Sequence, residues 1–363
     1  MVFSERIKTI TYNEILPSIV DTVNQSNIFT ARALSNPKPW RGTTVNQPIQ
    51  IANSTTGGSF DGMDEFDTSA TNNVRSMTWY VKGYEQSIVI PGIEQSVNET
   101  SNKGAVRLLG AKMDEAANSL SDGVGNLLYG YGNGKDFDGL GLIVDDGTAT
   151  ASYAGLSRAE LPNINGHVTA AAGGKMTLDL VSKAFDDASA AGSSQESPDI
   201  AFTTSQIWSL FESLLHKNNS LQAHYDATAI TGYNRVNGKT PRGTSVPAQS
   251  LKGAWGVDAI SYRGKPVVAD DKCPNGRFYW INEHYLEYRN LKGQDLNNYN
   301  NKNNITEGTY SDIKDQVPSF LQMRDFMQPI NQYGKIGWLV MLGNLIHRQP
   351  RRNSVITGIK SIA

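Results

Sequence analysis

The apolar residues of the chain follow a helical period most clearly between residues 101 and 131. An apolar side chain returns there at every third or fourth position, at Val106, Leu109, Met113, Ala116, Leu120, Val124 and Leu127. This spacing is the pattern of a helix with one apolar face. Ser101 is a candidate N-cap, and a glycine-rich stretch after Leu128 is a candidate stop. The pattern predicts one long helix of about 28 residues, roughly 42 Å in length.

A period of two precedes this helix, between residues 43 and 92. Apolar residues alternate with polar ones on both sides of a polar, glycine-containing connection, at Ile49, Ile51, Met77, Trp79 and Val81. The apolar phase shifts by one position past Gly83, as it does at a β-bulge. We therefore expect a long two-stranded hairpin with a wide tip. A two-stranded ribbon is marginal in isolation, so it needs a surface to lie against.

The remaining segments mix both periods. Residues 1–36 carry a short helical pattern that ends at a proline-rich break, and residues 139–330 alternate between amphipathic helices and short strands. Residues 336–346 are apolar, and a final short strand is expected within residues 354–362. Helices and strands are therefore interspersed without a repeat, which predicts an α+β fold.

Composition and charge exclude several classes of protein. Lysine and arginine total 33 against 35 acidic residues, for a formal charge of -2, so the chain is not built mainly to neutralise nucleic-acid phosphates. The single cysteine, Cys273, cannot form an internal disulfide. No apolar stretch approaches the ~20 residues that span a bilayer, and the first residues lack a signal-peptide pattern. We expect a soluble chain that does not associate with a membrane.

Candidate motifs for catalysis or cofactor binding depart from the patterns that such chemistry needs. Residues 238–240 read Gly-Lys-Thr, but the preceding glycine has the wrong spacing for a phosphate-binding loop. Val144 stands where a dinucleotide-binding loop needs its third glycine. Glu212 and His216 share one helix face, which is more typical of an exposed ion pair than of a metal site. We expect no catalytic residue, no cofactor, no metal site and no enzymatic activity.

Charged residues are unevenly placed along the chain. Four carboxylates lie at the predicted tip of the hairpin, in a stretch without lysine or arginine, whereas the residues after Asp325 include five cations and no acid. Either these are two ordinary solvated surfaces, or they meet within one subunit or between two. The candidate subunit interface consists of Asp61, Asp64, Glu65, Asp67, Arg348, Arg351 and Arg352.

The order of the elements resembles that of a known family. The stretches that carry the resemblance are residues 139–144 with 151–159, the strand-then-helix unit at 198–208, the strand-rich stretch at 263–282 and the C-terminal stretch at 343–358. Together with the arm, hairpin and long helix, they resemble the major capsid proteins of tailed bacteriophages with the Hong Kong 97 fold. In that family the stretch at 263–282 would be a return hairpin, and 343–358 a pair of strands.

The resemblance implies a division of the chain into four parts. These are an N-terminal arm (1–45), an extended β-hairpin loop (46–92), a peripheral domain with the long spine helix (93–138 and 331–363) and a mainly axial α/β domain (139–330).

The resemblance also implies a function. The chain would assemble with itself into hexamers and pentamers of an icosahedral capsid around double-stranded DNA, which it would contact non-specifically. Its other partners would be a separate scaffolding protein and a portal. Its location would be the virion capsid, after assembly in the host cytoplasm.

Two alternatives stay open at this point. One is an encapsulin-like compartment shell that encloses protein cargo instead of DNA. The other is a carbohydrate-active enzyme, which would need two carboxylates about 5 to 9.5 Å apart in a cleft.

Overall fold

The computed structural model describes residues 27–98, 102–190, 195–217, 259–291 and 321–362. Its α-helices are α1 (Ile28–Leu34), α2 (Gly92–Asn98), α3 (Asn102–Leu128), α4 (Leu140–Ile143), α5 (Leu178–Ala188) and α6 (Ser205–Lys217). Its strands are β1 (Lys38–Pro39), β2 (Thr44–Gln50), β3 (Val74–Tyr80), β4 (Lys82–Pro91), β5 (Ser152–Tyr153), β6 (Leu156–Ser157), β7 (His167–Ala170), β8 (Lys175–Met176), β9 (Ile200–Thr203), β10 (Ala259–Tyr262), β11 (Lys265–Ala269), β12 (Phe278–Ile281), β13 (Leu286–Asn290), β14 (Leu321–Met327), β15 (Gly334–His347), β16 (Ser354–Thr357) and β17 (Ser361–Ile362).

The long helix predicted from the apolar stripe is α3. Its buried face includes Ala116, Leu120 and Val124, and it packs against β4. The helix ends at Leu128, and the N–H of Gly130 then donates to the carbonyl of Leu127 at 2.9 Å. The C-terminal half of the stripe is therefore confirmed. The predicted cap at Ser101 and the side chains of Val106, Leu109 and Met113 lie outside the described residues.

The hairpin is confirmed, but its paired strands are shorter than the alternation of apolar and polar residues predicted. β2 and β3 pair antiparallel from Thr44 opposite Tyr80 to Gln50 opposite Val74. After Val81 the chain leaves this ribbon, and β4 pairs with β15 instead. The expectation of a β-bulge past Gly83 is wrong, because the phase shift marks the passage from one sheet to another.

The first sheet is centred on β15, whose 14 residues pair with β4 along one edge and with β13 and β14 along the other. β1 extends the sheet by pairing in parallel with β13. The arm that contains α1 and β1 is held by further contacts, since the Phe29 N–H donates to Asp270 at 2.9 Å and Arg32 pairs with Glu283. The described part of the arm therefore lies against its own subunit.

The second sheet has six strands in the order β10-β11-β9-β12-β16-β7. Every residue of β9 and of β12 is buried, as expected for central strands covered on both faces. Helix α5 packs against β7, β12 and β16, and α6 packs against β11. All of these elements except β16 lie within residues 139–330, the region predicted as axial.

Two strand pairings differ from the expectation. β11 and β12 do not form a hairpin within residues 263–282, because β9 lies between them. The hairpin is β10–β11, whose turn has Arg263 at φ 51° and Gly264 at φ 77°, the left-handed backbone that favours tight hairpin turns. The end of β15 and β16 are likewise not a pair, since they belong to different sheets. Each of the two large sheets includes strands from both sides of residue 330. The boundary between the axial and peripheral domains, which was drawn at that residue, stays a prediction.

Candidate subunit interface

The base of the hairpin is fixed to the body of the subunit. The Thr78 N–H donates to the Ala154 carbonyl at 2.8 Å, and the rings of Trp79 and Tyr153 meet edge to face with centroids 6.3 Å apart. Just past the end of β2, the Asn163 Nδ2 donates to the carbonyl of Ile51 at 2.8 Å. Met77 and Trp79 are buried by these contacts. The hairpin thus leaves the body from an anchored base.

The tip of the hairpin, residues 51–73, is exposed along most of its length. Three large apolar side chains project from it, with Phe60, Met63 and Phe66 exposed by 66%, 98% and 69%. The two phenylalanine rings touch each other, with centroids 5.2 Å apart. Isolated exposed apolar residues are ordinary, but three of them grouped on one projecting loop mark a surface for a partner.

The four carboxylates of the candidate interface alternate with these apolar side chains. Asp61, Asp64, Glu65 and Asp67 are all exposed, and within the described residues none of them forms an ion pair. Hydrogen bonds from the hydroxyl and the backbone N–H of Ser69 lower the pKa of Asp67. The tip therefore presents negative charge and apolar surface together, and the sequence pattern had indicated only the charge.

A cleft of about 610 Å³ lies between the hairpin, from the second half of β2 to the first residues of the tip, and the segment that follows β15. The hairpin contributes residues that include Gln47 and Gln50, and the opposite wall includes Asn163, Arg348 and Arg351. The lining contains amides, two arginines and no carboxylate. A wall of this kind fits an acidic partner, and it lacks the paired carboxylates that glycoside hydrolysis would need.

The three arginines of the candidate interface have different environments. The Arg348 guanidinium lies 6.0 Å from the centre of the Tyr285 ring, and Arg351 is exposed. Arg352 is occupied within its own subunit, because its Nε donates to Glu196 at 2.7 Å. Glu196 also accepts a hydrogen bond from the Tyr285 hydroxyl. Arg348 and Arg351 therefore remain as the two cations that border the cleft.

The two charged sets do not touch each other within the described chain. The cleft that Arg348 and Arg351 line also includes Ile51, Ala52 and Asn53, the first residues of the tip, but none of the four carboxylates. A meeting of the two sets therefore stays a prediction.

Sequence reasoning missed a group of buried polar residues behind this surface. His347 is fully buried, and its Nδ1 accepts from the Gln349 N–H at 3.2 Å while its Nε2 lies 3.1 Å from the Asn282 carbonyl. Because Nδ1 accepts from a backbone N–H, the neutral ring carries its proton on Nε2, which also lies 3.0 Å from the Asn353 Nδ2. Burial, with a smaller contribution from Arg348, lowers the pKa of His347 to about 3. The ring joins the end of β15 to the end of β12, so its role is structural.

Asn344 is a second buried polar residue that the sequence did not single out. Its amide nitrogen donates to the Tyr80 carbonyl at 3.1 Å, at the point where the chain passes from the hairpin into the first sheet. A lone asparagine inside the apolar stretch 336–346 is the only signal that could have indicated it. Its remaining partners include Asp138, which also pairs with Lys82.

The described residues show neither a metal cluster nor a membrane span. No group of three or more histidine, cysteine or acidic side chains there is placed to hold a metal ion. No helix in the same ranges has the length and apolarity needed to cross a bilayer. Cys273 is buried, and burial raises the pKa of its thiol, which disfavours the reactive thiolate.

Comparison with known proteins identifies the fold. No family model and no curated protein matches the sequence. Among solved structures, the capsid subunit of cyanophage A-1(L) is similar over 92% of this chain and 93% of its own, with 15% identity and a TM-score of 0.59. An encapsulin from Synechococcus elongatus covers 92% and 87% (12% identity, TM-score 0.49), and the capsid of the Myoviridae phage XM1 covers 91% of each chain (11%, 0.48).

The similarity to the cyanophage subunit confirms the predicted fold. The chain has the α+β fold of the Hong Kong 97-like capsid proteins, with a projecting hairpin, a long helix and a mixed sheet covered by helices. At 15% identity the similarity defines the fold and not the residues of an interface.

Proposed function

We propose that this chain is the major capsid protein of a tailed bacteriophage. The observation that carries the proposal is the similarity of 92% of the chain to a capsid subunit. A subunit that works alone has little use for an anchored hairpin with three exposed apolar side chains at its tip. A subunit that assembles with copies of itself buries that surface.

In this role the protein forms hexamers and pentamers of an icosahedral shell around double-stranded DNA. It acts through assembly and carries out no catalysis. A separate scaffolding protein and a portal assist the assembly in the host cytoplasm, and the product is the virion capsid. Contacts with packaged DNA are non-specific, in keeping with a formal charge of -2.

Within the shell, the tip of one subunit binds the arginine-bordered cleft of another. The carboxylates Asp61, Asp64, Glu65 and Asp67 face Arg348 and Arg351, and the exposed rings of the tip lie against the cleft wall. Arg352 takes no direct part, because Glu196 occupies it. Complementary charge of this kind contributes orientation and association rate more than affinity.

Electron microscopy of the purified full chain tests the proposal. We expect rings, tubes or shells, with a sedimentation profile far larger than that of a 39.6 kDa monomer. A chain that stays monomeric at tens of micromolar, with residues 46–92 protected from hydrogen exchange, would contradict it.

The content of the particles separates the capsid from the encapsulin-like alternative. Particles isolated from infected or producing cells should protect double-stranded DNA from added nuclease. Particles that instead retain a folded protein cargo, and protect no DNA, would favour the compartment shell. Both outcomes are read from the same preparation after nuclease treatment.

A further inference from the structure

The dipeptide Asn–Gly occurs four times in the sequence, at residues 133–134, 165–166, 237–238 and 275–276. In this dipeptide the backbone nitrogen of glycine is tethered close to the side-chain carboxamide of asparagine, so the two groups react within one chain when the backbone lets them meet. Glycine has no Cβ to hinder that approach. Residues 237–238 lie outside the described residues, and the structure gives the other three copies different environments.

The copy at Asn165–Gly166 is held in place by hydrogen bonds. The Asn165 Nδ2 donates to the Asp146 carbonyl at 3.0 Å, and its Oδ1 accepts from the Arg158 guanidinium at 3.4 Å. The Gly166 N–H donates to the Asp145 carbonyl at 2.9 Å, and Gly166 is buried. The carboxamide and the glycine nitrogen are therefore both engaged with other groups.

The copy at Asn133–Gly134 is open. Both residues are exposed, in the loop between α3 and α4. Gly134 has φ 57°, a left-handed backbone that glycine adopts readily, and no atom lies within 4 Å of the place where a Cβ would stand. Within the described chain the pair makes one hydrogen bond, from the Asp136 N–H to the Asn133 carbonyl at 3.1 Å. Neither the carboxamide nor the Gly134 N–H takes part in it.

The copy at Asn275–Gly276 is intermediate between these two. Asn275 is exposed, but Gly276 is half-buried. The carbonyl of Gly276 accepts from the Ile359 N–H at 3.0 Å. This bond fastens the glycine to the segment after β16, so it limits the rotation that would bring the glycine nitrogen to the carboxamide.

We propose that Asn133–Gly134 is a self-modifying site, at which the asparagine converts to aspartate and isoaspartate without an enzyme. The Gly134 nitrogen gives its proton to hydroxide and attacks Cγ of Asn133. The new N–Cγ bond closes a succinimide ring, the Cγ–Nδ2 bond breaks, and Nδ2 leaves as ammonia with a proton taken from water.

Water then opens the succinimide ring. Addition at Cγ breaks the N–Cγ bond and gives aspartate, whereas addition at the backbone carbonyl carbon gives isoaspartate, in which the chain runs through the former side chain. One carboxamide and one water thus become one carboxylate and one ammonium, with no oxidant or reductant. The new negative charge lies next to Gly132, whose carbonyl accepts from the Lys82 Nζ at 3.3 Å.

Peptide mapping of the folded full chain, incubated at mildly alkaline pH, tests the site. The three described copies fall into separate tryptic peptides, at residues 113–135, 159–175 and 273–277. We expect peptide 113–135 to gain the mass difference between –NH₂ and –OH at residue 133 and to accept a methyl group from isoaspartyl methyltransferase. A digest made before incubation gives the background.

The other two copies serve as internal controls. Each hydrogen bond that must break slows the reaction by about two- to tenfold, so Asn165 should react about a hundredfold more slowly than Asn133. Asn275 should lie between them. In denaturant all three lose their structure and should react at similar rates. Asn133→Gln lengthens the side chain and should abolish the change in its own peptide while the other two peptides keep their rates.

The ratio of the folded rate to the denatured rate decides the proposal. A ratio near one for Asn133, with a far smaller ratio for Asn165, supports it. An Asn133 that reacts as slowly in the folded chain as Asn165 does would overturn it, and so would a change in peptide 113–135 that persists in Asn133→Gln. The rates are read from single chains whether or not particles form, so the outcome is independent of the proposed function.

Discussion

The six-stranded sheet and the extended hairpin use similar short strands, but they cover their apolar side chains differently. All four residues of β12, Phe278–Ile281, are buried by neighbours from the same chain. The hairpin buries Met77 and Trp79 at its base but leaves Phe60, Met63 and Phe66 exposed at its tip. The body therefore owes its stability to contacts within the chain. The tip has apolar surface that only another molecule can cover.

The strongest test of this contrast is a pair of truncations. Leu120→Ala removes a buried side chain where α3 packs on β4, so we expect a loss of about 2–5 kcal/mol in the free energy of unfolding. Phe66→Ala removes an exposed ring and should leave unfolding of the isolated subunit unchanged while it impairs assembly. Chemical denaturation and electron microscopy measure the two effects. Equal stability losses in both variants would show that the tip is packed like the body.

The next test uses the pH dependence of stability to examine the buried His347. Because the pKa of His347 is about 3 in the folded protein and near 6.5 in the unfolded chain, only the unfolded chain binds its proton between these values. The contribution of His347 is therefore complete above pH 6.5. It falls by about 1.4 kcal/mol for each pH unit as the pH drops toward 3.

A His347→Gln variant isolates that contribution. Burial also lowers the pKa of His167, so the informative quantity is the difference between wild type and variant from pH 6.5 to 4.5. We expect the variant to lose stability less steeply over this range, as measured by denaturant unfolding at each pH. If wild type and variant lose stability equally steeply as the pH falls, His347 binds its proton in the folded protein as readily as in the unfolded chain. Burial raises the pKa of the nearby Tyr153 and Tyr285, so both should stay uncharged over this range.

A glycine in α3 separates what helix propensity suggests from what packing requires. Alanine favours a helix by about 1 kcal/mol over glycine, so the sequence suggests that Gly123→Ala is neutral or stabilising if the position faces solvent. In the structure a Cβ at this position would lie 1.9 Å from the Tyr84 hydroxyl. We expect Gly123→Ala to destabilise the subunit by about 1–3 kcal/mol, because the Tyr84 ring must move away from the helix.

The matched control for Gly123→Ala is Gly62→Ala in the tip, where no atom lies within 4 Å of the new Cβ. Thermal or chemical unfolding should register no change for it. The clash also predicts non-additivity, since the cost of Gly123→Ala should shrink in a Tyr84→Ala background. An unchanged cost there would assign the destabilisation to the helix itself.

Local patterns were enough to predict the parts of the fold that depend on neighbours in sequence. The stripe through Ala116, Leu120 and Val124 marked α3, and alternation marked the hairpin. The phase shift at Gly83 was visible too, but a change of sheet and a β-bulge produce the same shift. Only the pairing of β4 with β15, some 250 residues away, separates them.

The site was less predictable because its contacts are long-range. Asn344 bonds to Asp138 and to Tyr80, 206 and 264 residues away, and no local pattern carries that information. Arg352 counted as an available cation in the sequence, yet Glu196 occupies it. The exposed rings at the tip were overlooked, because an apolar residue in a polar loop does not reveal on its own whether it is buried.

The smallest expected effect concerns the charges of the tip. Exposed ion pairs contribute about 0–1 kcal/mol each, so neutralising Asp61, Asp64, Glu65 and Asp67 with Asn or Gln should leave subunit stability unchanged. Assembly should nevertheless slow at low salt, because complementary charge speeds docking. The advantage of the wild type should fade as salt rises, since screening shortens to ~3 Å at 1 M. Light scattering during assembly measures the rates.

Two further variants show whether the charges act at the proposed cleft. Neutralising four exposed carboxylates of the body, Glu115, Asp122, Glu160 and Asp186, changes the net charge equally and should slow assembly less. Reversing the tip charges to lysine should block assembly, and adding Arg348→Glu and Arg351→Glu should restore it. Because a shell repeats the contact in every subunit, a small pairwise energy still sets the assembly rate. If the neutral tip assembles as fast as wild type at every salt concentration, the tip docks through its apolar side chains alone.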